Sequence, residues 1–265
     1  MTGDGINDGP ALRAANISIA MGGDGTDVAR EVADMVLATN DLDGVVEAVR
    51  LGRATHANIR KVLRYLISTS VSETFAMLGA AVLDGGVAMT STQLLWLNIV
   101  GEPLPALALG IEEPEADVLD RPPHDPRAPI VSTSDFRRLL LEGTVIGAGT
   151  LAGYYFAGGA RNLASASTIT FHGITLGQLL HSISCRSENA GFHRKLFQSP
   201  NRKLQGALLL SGLAQAAAQV FPAMRRILNL APLGSSELLG IAGIAVGGAA
   251  LNDVLSYILP RGGRS

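Results

Sequence analysis

The chain has 265 residues, of which 47% are apolar and 17% charged, and its formal net charge is −2. A soluble domain carries roughly 25% charged residues, and a near-neutral balance leaves no basic footprint for nucleic acid. The single cysteine, Cys185, excludes a disulfide framework and a cysteine-based zinc site. Charge is unevenly spread. Residues 1–64 hold nine acids against seven bases, whereas 65–83, 87–101, 139–160 and 236–252 are nearly uncharged. The pattern reads as a short soluble head on a membrane-embedded body. The polar start Met1-Thr2-Gly3-Asp4 does not read as a signal or transit peptide.

The head opens on Met1-Thr2-Gly3-Asp4-Gly5-Ile6-Asn7-Asp8. Gly3 and Gly5 let a backbone approach a phosphoryl group. Asp4 and Asp8 offer the hard oxygen ligands that Mg²⁺ favours. Asn7 can donate to a phosphoryl oxygen without adding negative charge. A Gly/Asp-rich turn is the simpler alternative for so short a string. A helical turn at Pro10–Ala15 precedes a strand at Ile17–Met21. A helix follows at Thr26–Ala33, opened by Asp24 and Gly25, then a strand at Met35–Leu37. Leu42–Val49 begins another helix, with Asp41 as its cap. Two strands and three helices amount to the last part of an α/β domain. Residues 53–64 are expected to run as a helical stalk into the body.

A spanning helix needs about 20 mostly apolar residues. Six windows qualify: Val62–Leu83, Thr92–Ile111, Leu139–Ala157, Thr168–Ser187, Leu204–Phe221 and Leu238–Leu259. The fourth and fifth are interrupted by Gln178, His181, Gln215 and Gln219. One set of loops holds fourteen Arg/Lys, among them Arg194, Lys195, Arg261 and Arg264, and the opposite set only Arg161, Arg225 and Arg226. The positive-inside rule then places the N-terminus and the C-terminus in the cytoplasm; the membrane expected is a bacterial-type plasma membrane. Gly143–Gly159 and Leu238–Leu251 have no charged face, unlike the helices of a soluble bundle, and their small residues suit close packing in lipid.

Glu73 and Glu102 fall near mid-membrane in the first two windows. An ionised carboxylate there costs about 2.5 kcal/mol or more, so it faces the interior or a cation. Ser70 shares a helix face with Glu73, and Asn98 with Glu102. Gln178 lies near mid-depth in the fourth window. Pro103 and Pro105 cannot donate to the carbonyls of Ile99 and Gly101, and unwound backbone at membrane depth is tolerated where it lines a site. This oxygen-rich group suits a hard cation or a proton relay. The competing reading is buried pairing, for which His181 is the basic group available mid-span. His56, His124, His172 and His193 show no metal-binding spacing. Gln215 and Gln219 read as interhelical hydrogen-bonders, and Trp96 as an interfacial anchor. Arg186-Ser187-Glu188-Asn189 is expected to form a local salt bridge or to touch the cytosolic loop.

The string TGDGINDGPALRAANISIAMG, followed by GTDVAREVADMVL, resembles the hinge segment of P-type cation-transporting ATPases, nearest the calcium and sodium/potassium pump subgroup. Ile6 and Gly9 are its departures from the TGDGVNDAPAL pattern. NIRKVLRYLIS, QLLWLNIV, LPALALG and DRPPHDPRAPI extend the resemblance to about residue 130; the later spans match loosely. It implies a haloacid dehalogenase-like phosphorylation domain, of which residues 1–52 are the C-terminal part. A stalk at 53–64, a six-helix membrane domain at 62–259 and a cytoplasmic tail at 260–265 would follow. The fold class expected is therefore a mainly α, polytopic membrane bundle preceded by a partial α/β domain. Asp4 would ligate Mg²⁺, Asn7 would contact the aspartyl phosphate and Asp8 would support it, in a pump driven by ATP. Ser70, Glu73, Asn98, Gly101, Glu102 and Gln178 stand at transported-cation positions. Gly101-Glu102 replaces Thr-Asp of the subgroup, and Ser70 an Asn, which points to one divalent ion, a monovalent ion or a proton.

The family's phosphorylated DKTGT and its TGE motif do not occur in this sequence. Covalent catalysis needs its nucleophile, so this chain alone is expected to be inactive. The missing N-terminal domains, or a separate chain supplying them, become expected partners along with the lipid bilayer. A stand-alone non-catalytic membrane subunit or regulator of another ATPase is the alternative.

Overall fold

Three short parallel strands, β1 (Thr2–Gly3), β2 (Ile19–Met21) and β3 (Met35–Leu37), form a sheet in the order β1-β2-β3. The computed structural model describes all residues except 24, 40, 42, 116, 126, 187–200 and 259–265, and for 256–258 only the backbone. Asp24, Ser187–Asn189, His193, Arg194, Lys195, Arg261, Arg264 and the tail 260–265 therefore lie outside the described residues.

The chain divides into two units, Met1–Thr55 with Glu113–Pro122, and His56–Glu112 with Pro123–Ser265. In the first, α1 (Gly9–Ala14) and α2 (Asp27–Val32) connect successive strands. Registers are Thr2↔Ile19 and Ile19↔Met35. The third strand, β1, corrects the expected count of two. Two residues, one of them glycine, carry no period-2 signature, so only pairing reveals them. Leu12, Ala20 and Ala29 form the small core. Thr26 caps α2 by accepting from Ala29 N. The Asp34 carboxyl accepts from both Ser18 N and Ser18 Oγ, at 2.9 and 2.8 Å, which holds it below the usual carboxylate range. Arg53 Nη1 donates to the carbonyls of Val118, Leu119 and Arg121, fastening the 113–122 segment.

One helix, α3 (Asp43–Asp84), contributes to both units and runs 42 residues without interruption. It ends at Gly85, whose φ of 69° is a left-handed stop that suits glycine. The second apolar window is not one helix. A capping box of Thr90 and Gln93 starts α4 (Ser91–Trp96), a π turn occupies Leu97–Gly101, and α5 (Pro103–Gly110) follows. Pro103 has no N–H to return to Ile99, and the wider π register accommodates that gap.

The second unit continues with α6 (Thr133–Phe156), α7 (Leu163–Cys185), α8 (Arg202–Val220), α9 (Pro222–Ile227) and α10 (Ser235–Ile258). The architecture is mainly helical. Among the described residues two helices, Asp43–Asp84 and Ser235–Leu255, are by length and composition apolar enough to cross a membrane. The other windows fall on α4–α5, α6, α7 and α8. Their polar residues lower the apolarity, and those residues bond to backbone carbonyls or to one another inside the bundle. α7 is the extreme case: it packs against α6 and α10 and is buried over most of Ala166–Cys185. Gly143 and Gly147 bring α6 against α3. A Cβ on Gly143 would sit 2.5 Å from Ser68 O, and one on Gly147 would sit 2.8 Å from Ser72 O.

The two ends of this unit differ chemically. At one end Glu112 accepts from Lys61 Nζ (3.0 Å), Arg186 Nε (2.8 Å) and Asn201 Nδ2 (3.2 Å). Arg186 thus reaches the segment after α5. Burial works to raise the Glu112 carboxyl, but the Lys61 ammonium and the Arg186 guanidinium outweigh it and hold it below the usual range. A carboxyl depressed in the folded state stabilises the fold above its unfolded pKa, and loses that contribution as pH falls through the folded value. Glu112→Gln is therefore expected to lower stability at pH 7 and to flatten the acid limb below about pH 4.5. Denaturant titrations of both proteins at pH 7, 5 and 3 measure this; parallel acid limbs would contradict it.

At the opposite end a group of neutral side chains bonds between helices. His172 Nε2 lies 3.1 Å from Gln219 Oε1, and its Nδ1 lies 3.1 Å from Gln215 Nε2. Gln215 also accepts from Trp96 Nε1, and Gln219 donates to Ala231 O. The two glutamines therefore bond between helices, and Trp96 joins that network.

Candidate functional site

The opening loop is shaped by Asp8. Its Oδ2 accepts from Asp4 N (3.1 Å) and Gly5 N (3.0 Å). Thr26 N donates to Asp4 O at 2.8 Å, tying the loop to the start of α2. A Cβ on Gly3 would sit 2.7 Å from Asp8 Cβ, so this closure needs glycine. One Asp8 oxygen is thus committed to the loop's own backbone. Asp4 and Asn7 are exposed. The donor set fits magnesium modestly. That ion usually takes one or two carboxylates and keeps its remaining places for water and phosphate. Asp4 can supply such a carboxylate while Asp8 holds the turn. No group of three or more His, Cys, Asp or Glu side chains forms a metal cluster among the described residues.

The second constellation lies where α3, the π turn and α7 meet. Gln178 Nε2 donates to Glu73 Oε1 at 3.0 Å. Glu102 lies against Glu73 and Thr69, and Asn98 also lies against Glu73. Glu102 is 6% exposed, and its Oε1 is buried without a hydrogen-bond partner. The Tyr65 hydroxyl is likewise buried without one. Two carboxyls, two amides and a threonine hydroxyl converge on a place where an acceptor is left over. Such an arrangement suits a cation or proton.

Ser70 stands apart from this group. Ser70 is exposed, and its Oγ donates to Leu66 O at 2.9 Å. It lines a groove of about 500 Å³ with Ile67, Val71 and Phe75. Asn98 Nδ2 donates to Leu94 O. Gly101 is buried in the π turn, and the Ile99 side chain is exposed.

His181 is set against Ser68 and Glu142. Its Nε2 lies 2.7 Å from Ser68 Oγ and 3.8 Å from Glu142 Oε2. Glu142, which the sequence reading did not single out, accepts from Arg64 through both oxygens (2.5 and 2.9 Å) and from Arg138 (2.9 Å). Its signal was present: it is the lone acid in 139–160, four residues after Arg138. The sequence also gave no warning that His56 and His124 would stack, with ring centroids 4.4 Å apart. Burial, then His124 and Arg60, lower the His56 pKa.

Comparison with known proteins agrees with this layout. Residues 86–258 match the family described as cation transporting ATPase, C-terminus, and residues 1–49 match haloacid dehalogenase-like hydrolase. A calcium-transporting ATPase of Bacillus subtilis (strain 168) is 36% identical over 247 residues, which cover 92% of this chain and 28% of that protein. The chain thus spans little more than a quarter of the curated relative it matches. With two thirds of its length inside one family and its head in the other, the chain belongs to the P-type cation-transporting ATPases and carries their C-terminal region.

Proposed function

We propose that this chain is the C-terminal portion of an ATP-driven cation pump, with the intramembrane cation site at Glu73, Asn98, Glu102 and Gln178. The carrying observation is the buried, partnerless Oε1 of Glu102 beside Glu73. A buried acceptor without a donor is costly, and a bound cation or a shared proton supplies what it lacks. Carbonyls around Ile99 and Gly101 add oxygen ligands, since neither Pro103 nor Pro105 can donate back to them. Ser70 is the weakest member of the set. The cargo is a cation, and the Bacillus relative's name makes calcium the first to test.

Residues 1–52 form the C-terminal part of the phosphorylation domain, 53–64 the stalk, 62–259 a six-span membrane domain and 260–265 a cytoplasmic tail. Both termini face the cytoplasm. Asp4 would hold magnesium, Asn7 would contact the phosphoryl group, and Gly3, Gly5 and Asp8 shape the cradle. Magnesium, when bound, neutralises phosphoryl charge during transfer. The unbroken α3 supports a mechanical link from the head to Glu73. Phosphoryl chemistry and cation affinity then become reciprocally coupled. The partners are the bilayer and the polypeptide that supplies the nucleophilic Asp.

The test is phosphorylation of the complete pump by ATP while calcium, sodium, potassium and pH are varied singly. Phosphoenzyme that forms only with one of these identifies the cargo. Phosphoenzyme indifferent to all of them would refute the cation site.

A further inference from the structure

The hairpin between α8 and α10 carries two arginines that the pump reading does not use. Arg225 and Arg226 sit on α9, and with Ala164, Pro222, Asn229, Leu230 and Ala231 they line a cavity of about 420 Å³. Arg225 Nε is buried without a hydrogen-bond partner. No carboxylate lies within ion-pair distance of either guanidinium among the described residues. Glu237, the acid nearest in sequence, is engaged by the Gly234 N–H at the start of α10. The pocket is built by the chain itself: Leu230 N donates to Arg225 O, Ala231 N donates to Thr168 Oγ1, and Asn229 adopts a left-handed φ of 53°.

Uncompensated guanidinium groups at a cavity call for an anion, and their planar forks match phosphate oxygens. The neighbouring residues say which kind. Phe221, Met224 and Ile227 on the same short segment are exposed. A segment that offers apolar side chains and arginines together suits the boundary between headgroups and acyl chains.

We infer that the Arg225–Arg226 cavity binds the phosphodiester headgroup of an anionic phospholipid. The lipid comes from the leaflet opposite the cytoplasmic head. This rests on the spanning topology proposed above. The bound lipid neutralises two charges that stand on the arginine-poor side of the body, and it fixes the hairpin that holds Gln93 Nε2 through Leu228 O.

The whole chain would be placed in bilayers of phosphatidylcholine containing phosphatidylglycerol, extracted gently, and its retained lipid measured by native mass spectrometry. Phosphatidylglycerol should be retained in preference. Arg225→Gln/Arg226→Gln should lower that preference by about tenfold or more, Arg225→Lys/Arg226→Lys should keep part of it, and Arg161→Gln should leave it unchanged. Equal retention by the double Gln variant would overturn the site. Displacement of the lipid by millimolar inorganic phosphate would also overturn it, by showing a free-anion pocket. An alkaline wash separates the two levels. A chain released by the wash sinks the spanning topology and the lipid site together. A chain retained without lipid preference sinks the lipid site alone.

Discussion

Glu73→Gln in the complete pump is expected to lower the apparent affinity for the transported cation by at least about 10–100-fold, read as the ion concentration that gives half-maximal phosphoenzyme. Glu102→Gln should do the same. The double variant should cost little more than the worse single one, because in the proposed site both carboxyls act on one ion and neighbours are not additive. The Gln178 amide already donates to Glu73 Oε1, so Gln at position 73 must reorient to offer it a carbonyl, which preserves the fold while removing charge. Ser70→Ala gives the contrast. Its hydroxyl is spent on Leu66 O, so a change of under about threefold is expected there. A Ser70 effect as large as that of Glu73 would mean that the site is built differently.

The second large effect concerns Glu142. It is 1% exposed and receives both Arg64 and Arg138. Glu142→Gln would leave two guanidinium groups facing each other with one neutral carbonyl between them. Breaking a buried ion pair from one side typically costs about 3–5 kcal/mol. The midpoint of detergent-denaturant unfolding should fall accordingly. Arg64→Met combined with Glu142→Met should recover part of the loss, since it removes one of the two guanidinium groups and leaves only Arg138 without its carboxylate. A Glu142→Gln protein as stable as the parent would show that Arg138 and Arg64 find other acceptors.

How much of this was legible in the sequence depends on range. The TGDGINDGPAL string and the apolar windows are local, and a reader meets them whole. Glu73 and Gln178 stood out because a carboxylate and an amide are conspicuous in apolar surroundings, although their 3.0 Å contact joins distant helices. The prolines at 103 and 105 announced a break. They could not announce a π turn at Leu97–Gly101, because that register is chosen by packing around the gap. Pairings were the blind spot. His181 stood as the basic group available mid-span for the competing pairing, and α7 presents it to Ser68 and Glu142, on the side of α3 nearer Arg64. Strand β1 escaped for the same reason: a two-residue strand exists only through its neighbour.

The bare backbones at Gly143 and Gly147 carry a consequence for movement. At these two positions there is no gap of even one methyl between α6 and α3. Two rods meshed that tightly at two successive turns resist sliding past one another like greased pistons. On the proposed link from the head to Glu73, a displacement of the long rod would reach its meshed partner as well. At those two teeth the genetic alphabet has a single letter.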